Sequence, residues 1–240
     1  MTASPKSIVL VHGAWHGSWC WQRVVPLLRQ RGFAVRAVDL PSTGIDPPPR
    51  ADLSTDAAAV RKVIKEMPGD VLVCGHSYGG MVISHPAVGA HPRVGHLAYV
   101  CAFVPDRGQS LFSIGDGKPA PWIRADERGM TLPDPDQAAD LFFGDCDPET
   151  QAWAIGRLRS QPAAPFAEPI ADPAWLRTES TYIVCTQDRV MPAELQRGLF
   201  ASRTASVFEL QASHSPFLSC PGLLAERLAG CALDISLAAP

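Results

Sequence analysis

The sequence predicts an α/β protein: a mostly parallel central sheet with helices on both faces and a small helical cap inserted late in the chain. Three observations lead there. Short, unbroken β-branched runs alternate with helical periodicity through the first hundred residues. A proline-rich stretch with scattered aromatics then breaks the alternation. Two further apolar runs and a closing helical pattern follow it.

The first strand is Ser7–His12, SIVLVH, an uninterrupted apolar run of the kind buried on both sheet faces. Trp21, Val24, Val25 and Leu28 then mark one helix face, Gly32 can end that helix, and Pro26 leaves its start open. Phe33–Leu40 is the second strand. Ser54 is a candidate cap for a helix whose buried face is Val60, Val63, Ile64 and Met67, closed by Pro68-Gly69. Asp70–Cys74 and Leu97–Val104 are the next strands, and helices between strands imply parallel pairing.

After Pro105 the pattern fails until about Thr178. This stretch carries Phe112, Trp122, Phe142, Phe143, Trp153, Phe166 and Trp175. A structureless loop of that length is improbable in a compact domain, so short helices are expected, Pro148–Arg159 the clearest. The sheet resumes at Ser180–Thr186 and Ala205–Leu210, and a last helix covers Gly222–Cys231. The expected organisation is a core of residues 1–105 and 179–240 around a cap of residues 106–178.

A chain of 240 residues that is 46% hydrophobic and 19% charged can bury one large core and is far from disordered composition. The net charge of −3 with no basic run argues against nucleic acid as a partner. No apolar stretch is long enough for a membrane span or signal segment, so a soluble, cytoplasmic protein is expected. Seven scattered cysteines suit a reducing compartment better than a disulfide framework.

The chemistry starts at Gly75-His76-Ser77-Tyr78-Gly79. This G-x-S-x-G follows an apolar strand and opens into a helical run, the setting in which a sharp turn presents a serine nucleophile. A serine hydroxyl needs a base. Of seven histidines only His214 lies in a loop between the last strand and the last helix, while His85, His91 and His96 fall on or near the helix after the nucleophile. The acid that orients the base should lie between them in sequence. Asp188, after STYIVCTQ, is the first candidate, and Asp106, after LAYVCAFVP, is its rival. Two backbone donors must hold the oxyanion. Tyr78 follows the nucleophile, and Ala14 follows a glycine in the loop after the first strand. His12 and His16 are four apart, but on a glycine loop without a third ligand, so no metal is expected.

With these residues placed, the chain resembles the plant methylesterase and hydroxynitrile lyase branch of the α/β-hydrolase superfamily, with its bacterial relatives. VLVHGAWHGSWCW, DLPSTG, GHSYGG, AFVPD, CTQDRVMPAELQ and SHSPFLSCP occur in that branch's order along almost the whole chain. The resemblance implies that Asp188 holds the acid position and that Ala14 and Tyr78 form the oxyanion hole. It separates two chemistries as well. The lyases carry threonine where Gly13 stands, glutamate where His76 stands and lysine where Ser215 stands. All three positions depart from that pattern, and without the lysine a departing cyanide has no stabilising cation.

The expected activity is therefore cofactor-free hydrolysis of a small, compact or aromatic carboxylic ester through an acyl-enzyme. Trp15, Phe103, Trp122, Phe142 and Phe143 are the candidate pocket lining. A lyase, C–C hydrolase or cyclase using the same triad is the alternative, and a ligand-binding receptor on the same fold is a third reading. The small-molecule ester is the expected partner, and the fold is compatible with a homodimer.

Overall fold

The computed structural model describes residues 7–44, 51–115, 117 and 119–234. Its strands are β1 (Ser7–Val11), β2 (Ala34–Val38), β3 (Val71–His76), β4 (Val94–Val100), β5 (Ile123–Ala125), β6 (Met130–Pro133), β7 (Gln161–Pro162), β8 (Ser180–Cys185) and β9 (Ser206–Leu210). Six of them form one sheet in the order β2-β1-β3-β4-β8-β9, every neighbouring pair parallel. Every residue of β1, β3 and β8 is buried, because helices cover both faces. β9 is the edge and exposes four of its five residues.

The covering helices follow the apolar periodicity. Helix α1 (Val24–Gln30) packs against the final helix, Pro221–Asp234, and α2 (Leu53–Glu66) packs against α3 (Gly79–Ser84). Pro26 is tolerated in α1 because it lies in the first turn, where amides lack intrahelical acceptors. The cap of α2 corrects the expectation. Asp52, in extended conformation, accepts from the Thr55 amide at 2.8 Å, and Ser54 lies inside the helix, bonded to Glu168 instead. Val60, Ile64 and Met67 are buried as expected, and Val63 is half-buried.

The strand expected at Leu97–Val104 begins three residues earlier, at Val94, and ends four earlier, at Val100. Cys101 adopts φ +34°, which ends the extended run at Val100 and turns the chain toward the site. His96 consequently sits in β4, bonded to the Thr181 hydroxyl, and not on the helix after the nucleophile.

Between β4 and β8 the structure adds a small sheet to the expected short helices. Helices at Leu111–Ile114, Pro135–Phe143, Pro148–Ile155 and Ala164–Ala167 accompany an antiparallel three-stranded sheet of β5, β6 and β7. The helix that begins at Pro148 stops at Ile155, short of Arg159, with Gly156 at its end. These strands are two to four residues long, too short to display a period of two. Phe142, Phe143 and Phe166 of this insertion are continuous with the core under the sheet.

Candidate active site

The site stands at the carboxyl ends of β3 and β8 and in the loop after β9. β3 ends in a turn so tight that a Cβ at Gly75 would lie 2.5 Å from the Gly79 carbonyl oxygen, and one at Gly79 would lie 2.8 Å from the carbonyls of Val11 and His12. Between these glycines Ser77 takes φ +52°, a left-handed conformation that a non-glycine residue keeps only when its surroundings impose it. The imposing bonds are visible: Ser77 donates its amide to Val100 and accepts on its carbonyl from Gly80 and Phe103.

Asp188 lies just past β8, buried. Its Oδ1 accepts from the amides of Val190 at 2.8 Å and Met191 at 2.9 Å. Its Oδ2 accepts from His214 Nδ1 at 2.7 Å and from Gln196 Nε2 at 3.2 Å. Gln196 is fully buried, and it also joins the Cys185 amide and the Met191 carbonyl, so it locks the acid to the strand end. Gln196 closes the CTQDRVMPAELQ stretch that carries the family resemblance, but nothing in the residue type or its spacing pointed to a bond with Asp188.

With Nδ1 engaged, His214 keeps its buried Nε2 without a hydrogen-bond partner among the described residues. The His214 carbonyl is held by His76 Nε2 at 2.7 Å, and the preceding residue, Ser213, bonds Asp145 of the insertion through amide and hydroxyl. The two imidazole rings of His76 and His214 are 4.7 Å apart. Asp106, the rival acid, is exposed and faces Arg203 at 3.9 Å; it does not bond His214.

The loop after β1 approaches the same point. Ala14 and Tyr78 both line the cavity beside Ser77, and the amide of neither residue donates to a protein group among those described. His12 and His16 hold this loop through Gly13 O at 2.8 Å and Ala14 O at 2.7 Å. Burial lowers His12 to about 4 and His16 to about 3, and it drives His76 well below the ordinary histidine value, so all three are neutral near pH 7. Gly13 leaves no room for a side chain: a Cβ there would lie 2.8 Å from His76 Nδ1 and 2.9 Å from Ser77 Cβ.

Ser77 opens into an apolar cavity of about 180 Å³ between the sheet edge and the insertion. Trp15, Phe103, Trp122 and Phe142 line it as expected, together with Phe112 and Phe166, which the sequence showed only as insertion aromatics. Trp15 is packed edge-on by Trp122, Phe142 and Phe166, with centroids 5.7 to 6.1 Å away. Phe143 corrects the expectation. It is fully buried against His16 and Phe142 and does not reach the cavity, because on a helix its side chain points about 100° away from that of Phe142.

A parallel sheet with a strained serine turn at the end of β3 and an acid–imidazole pair past the ends of β8 and β9 defines a class. The chain belongs to the alpha/beta hydrolase family, matching its pattern over residues 8–227. Among similar proteins, an alpha/beta hydrolase of Aspergillus novofumigatus is 30% identical over 247 residues, covering 95% of this chain and 98% of that one. Methylesterase 2 of Arabidopsis thaliana is 27% identical, covering 93% and 94%, in keeping with the methylesterase-like branch expected from the sequence. Among solved structures, a pyrethroid hydrolase from Sphingobium faniae superposes with a TM-score of 0.84 at 29% identity, covering 95% and 97%.

Proposed function

We propose that the protein is a serine carboxylic ester hydrolase that acts on a small, compact or aromatic ester through an acyl-enzyme. The observation that carries this reading is the 2.7 Å Asp188–His214 bond, which leaves the far imidazole nitrogen without a hydrogen-bond partner among the described residues, together with a serine held at φ +52°. The comparisons support it at the level of ester hydrolysis: similar proteins are named methylesterase and pyrethroid hydrolase.

In this reading His214 takes the Ser77 proton as the hydroxyl attacks the ester carbonyl, and Asp188 stabilises the imidazolium that results. The amides of Ala14 and Tyr78 receive the oxyanion, each worth about 3 kcal/mol of transition-state stabilisation. His214 then protonates the leaving alcohol, and water repeats the sequence on the acyl-enzyme to release the acid. Ser77 and His214 are not hydrogen-bonded in this structure; such contacts are often loose without substrate and tighten when it binds. The reaction as written uses no cofactor.

Cyanohydrin cleavage is the poorer reading. The crowding at Gly13 excludes a threonine while His76 keeps its place, and Ser215 supplies no charge. No charged side chain among the described residues lines the cavity, which favours an uncharged substrate. Residues 106–178 act in this proposal as the cap that shapes the substrate's surroundings. All seven cysteines are unpaired, which supports a reducing, cytoplasmic setting, and no helix among the described residues is long and apolar enough to cross a membrane.

The direct test is a panel of short activated esters. Turnover by the wild type that disappears in Ser77→Ala, with the fold retained by circular dichroism, is expected. Undiminished turnover in that variant ends the proposal.

A further inference from the structure

A buried carboxylate ties the site to the insertion. Asp56, on α2, is fully enclosed. It accepts three hydrogen bonds: from the Ser42 amide at 3.0 Å, the Ser42 hydroxyl at 2.6 Å and the Tyr78 hydroxyl at 2.8 Å. Ser42 Oγ in turn accepts from Gln161 Nε2 at 2.8 Å, and Gln161 Oε1 accepts from the Trp15 amide at 3.0 Å. A second link closes beside it, the Trp15 indole donating to Thr131 at 3.0 Å and Thr131 to the Gln161 carbonyl at 2.8 Å. Every donor from the Trp15 amide onward points toward Asp56.

The ends of this chain matter. Trp15 follows Ala14 and takes φ +61°, a conformation that needs external support, while Tyr78 follows Ser77. Gln161 and Thr131 belong to β7 and β6 of the insertion. One carboxylate therefore connects both candidate oxyanion donors with the segment that covers the cavity.

We propose that Asp56 is a positioning residue whose ionised carboxylate anchors a polarised hydrogen-bond chain holding the Ala14–Trp15 loop, Tyr78 and the insertion in register with Ser77. Three donors converge on it, so only an acceptor-only group satisfies them all; a protonated carboxyl would set a donor against one of them. Burial pushes the Asp56 carboxyl up to about 6, so the anchor is lost in mild acid. The charged and titratable groups that act on it are Asp52, at the cap of the same helix, and Tyr78, on which Glu168 of the insertion acts in turn. The oxyanion part of the role rests on the hydrolase reading above, whereas the chain of bonds does not.

The experiment compares the wild type, Asp56→Asn and Gln161→Leu in ester kinetics across pH and in amide hydrogen exchange. Asp56→Asn should lower kcat about 10²-fold with KM within about threefold, since small misplacement near a reacting centre has effects of that size. Its melting temperature at pH 8 should be no lower than the wild type's. Below about pH 6, log kcat/KM should fall more steeply with acid in the wild type than in Asp56→Asn, by up to one unit of slope, because only the wild type has a carboxylate at position 56 to protonate. Gln161→Leu, which cuts the chain in the middle, should lower kcat about tenfold and keep the steeper slope. Peptides spanning residues 11–17 should exchange about tenfold faster in both variants. Wild-type kcat in Asp56→Asn with unchanged exchange at Trp15 overturns the proposal, as does a kcat loss matched by an equal loss of folded protein. Absence of ester turnover in the wild type counts against the hydrolase reading, and the exchange arm then decides the positioning role alone.

Discussion

The sheet and the insertion build the same site by different means. Ser77, Asp188 and the loop bearing His214 follow β3, β8 and β9, whose register is fixed by parallel pairing that runs unbroken from Leu72 to the carboxyl end of β3. Their side chains are set by backbone bonds: two amides on Asp188, a carbonyl on Ser77 shared by Gly80 and Phe103. The insertion instead consists of short helices, strands of two to four residues and rings meeting edge to face. The difference teaches where each property resides. In the proposed function, reaction geometry sits on rigid strand ends and the shape of the cavity on the insertion, whose lining rings can vary while the strand ends stay in place.

The largest effect that would break this division is expected at the strand ends. Ser77→Ala should lower turnover by about 10⁶-fold, measured on an activated ester. Asp188→Asn should lower kcat by about 10⁴-fold through loss of imidazole orientation, while Asp106→Asn changes it by less than about threefold. A large loss in Asp106→Asn with little in Asp188→Asn would move the acid to the other strand end.

Insertion variants should sharpen the contrast with smaller and different effects. Trp122→Ala and Phe142→Ala are expected to raise KM about tenfold and to change substrate preference in a panel of alkyl and aryl esters, with kcat within about threefold. Phe143→Ala should behave oppositely. It leaves a cavity in the packed interior, so it should cost about 3–5 kcal/mol in urea unfolding with KM little altered.

Acid stability separates the two regions least but tests their electrostatics. His12, His16 and His76 are neutral in the folded protein well below the unfolded histidine value of about 6.5. Their lowered values mean that the stability they contribute is present above pH 6.5 and is lost as pH falls toward 4 and then 3. Three such groups give a slope of up to about 4 kcal/mol per pH unit. Asp56 has the opposite sign: its raised value favours the folded state in acid and offsets up to about 1.4 kcal/mol per unit between pH 6 and 4. Urea unfolding at pH 7 and pH 5 should show net loss of stability at pH 5. No loss would mean that the histidines are not held neutral.

How far the sequence discloses the site follows the same division. DVLVC running into GHSYGG marks strand, turn and helix together, because sharp turns restrict residue choice. Asp188 and His214 were open to expectation because each lies in the short loop after a strand, in a fixed chain order. The supporting shell was not. Gln196 on Asp188, Asp56 under Tyr78 and Gln161 against Trp15 are joined across 8, 22 and 146 residues, and isolated polar pairs between a regular element and a loop leave no periodic trace. The exchange of Phe143 for Phe166 as a lining residue has the same origin: composition marks an aromatic, but helix orientation decides which way it faces.

The central claim is that Ser77 becomes covalently acylated with His214 as its base. Mass spectrometry of enzyme quenched during turnover of a slowly deacylating ester tests it most directly. The account predicts one acyl adduct, on Ser77, that accumulates in the wild type and is absent from Ser77→Ala and His214→Ala. An adduct on another residue, or turnover in the wild type with labelled water entering the acid and no acyl-enzyme under any quench, would contradict it.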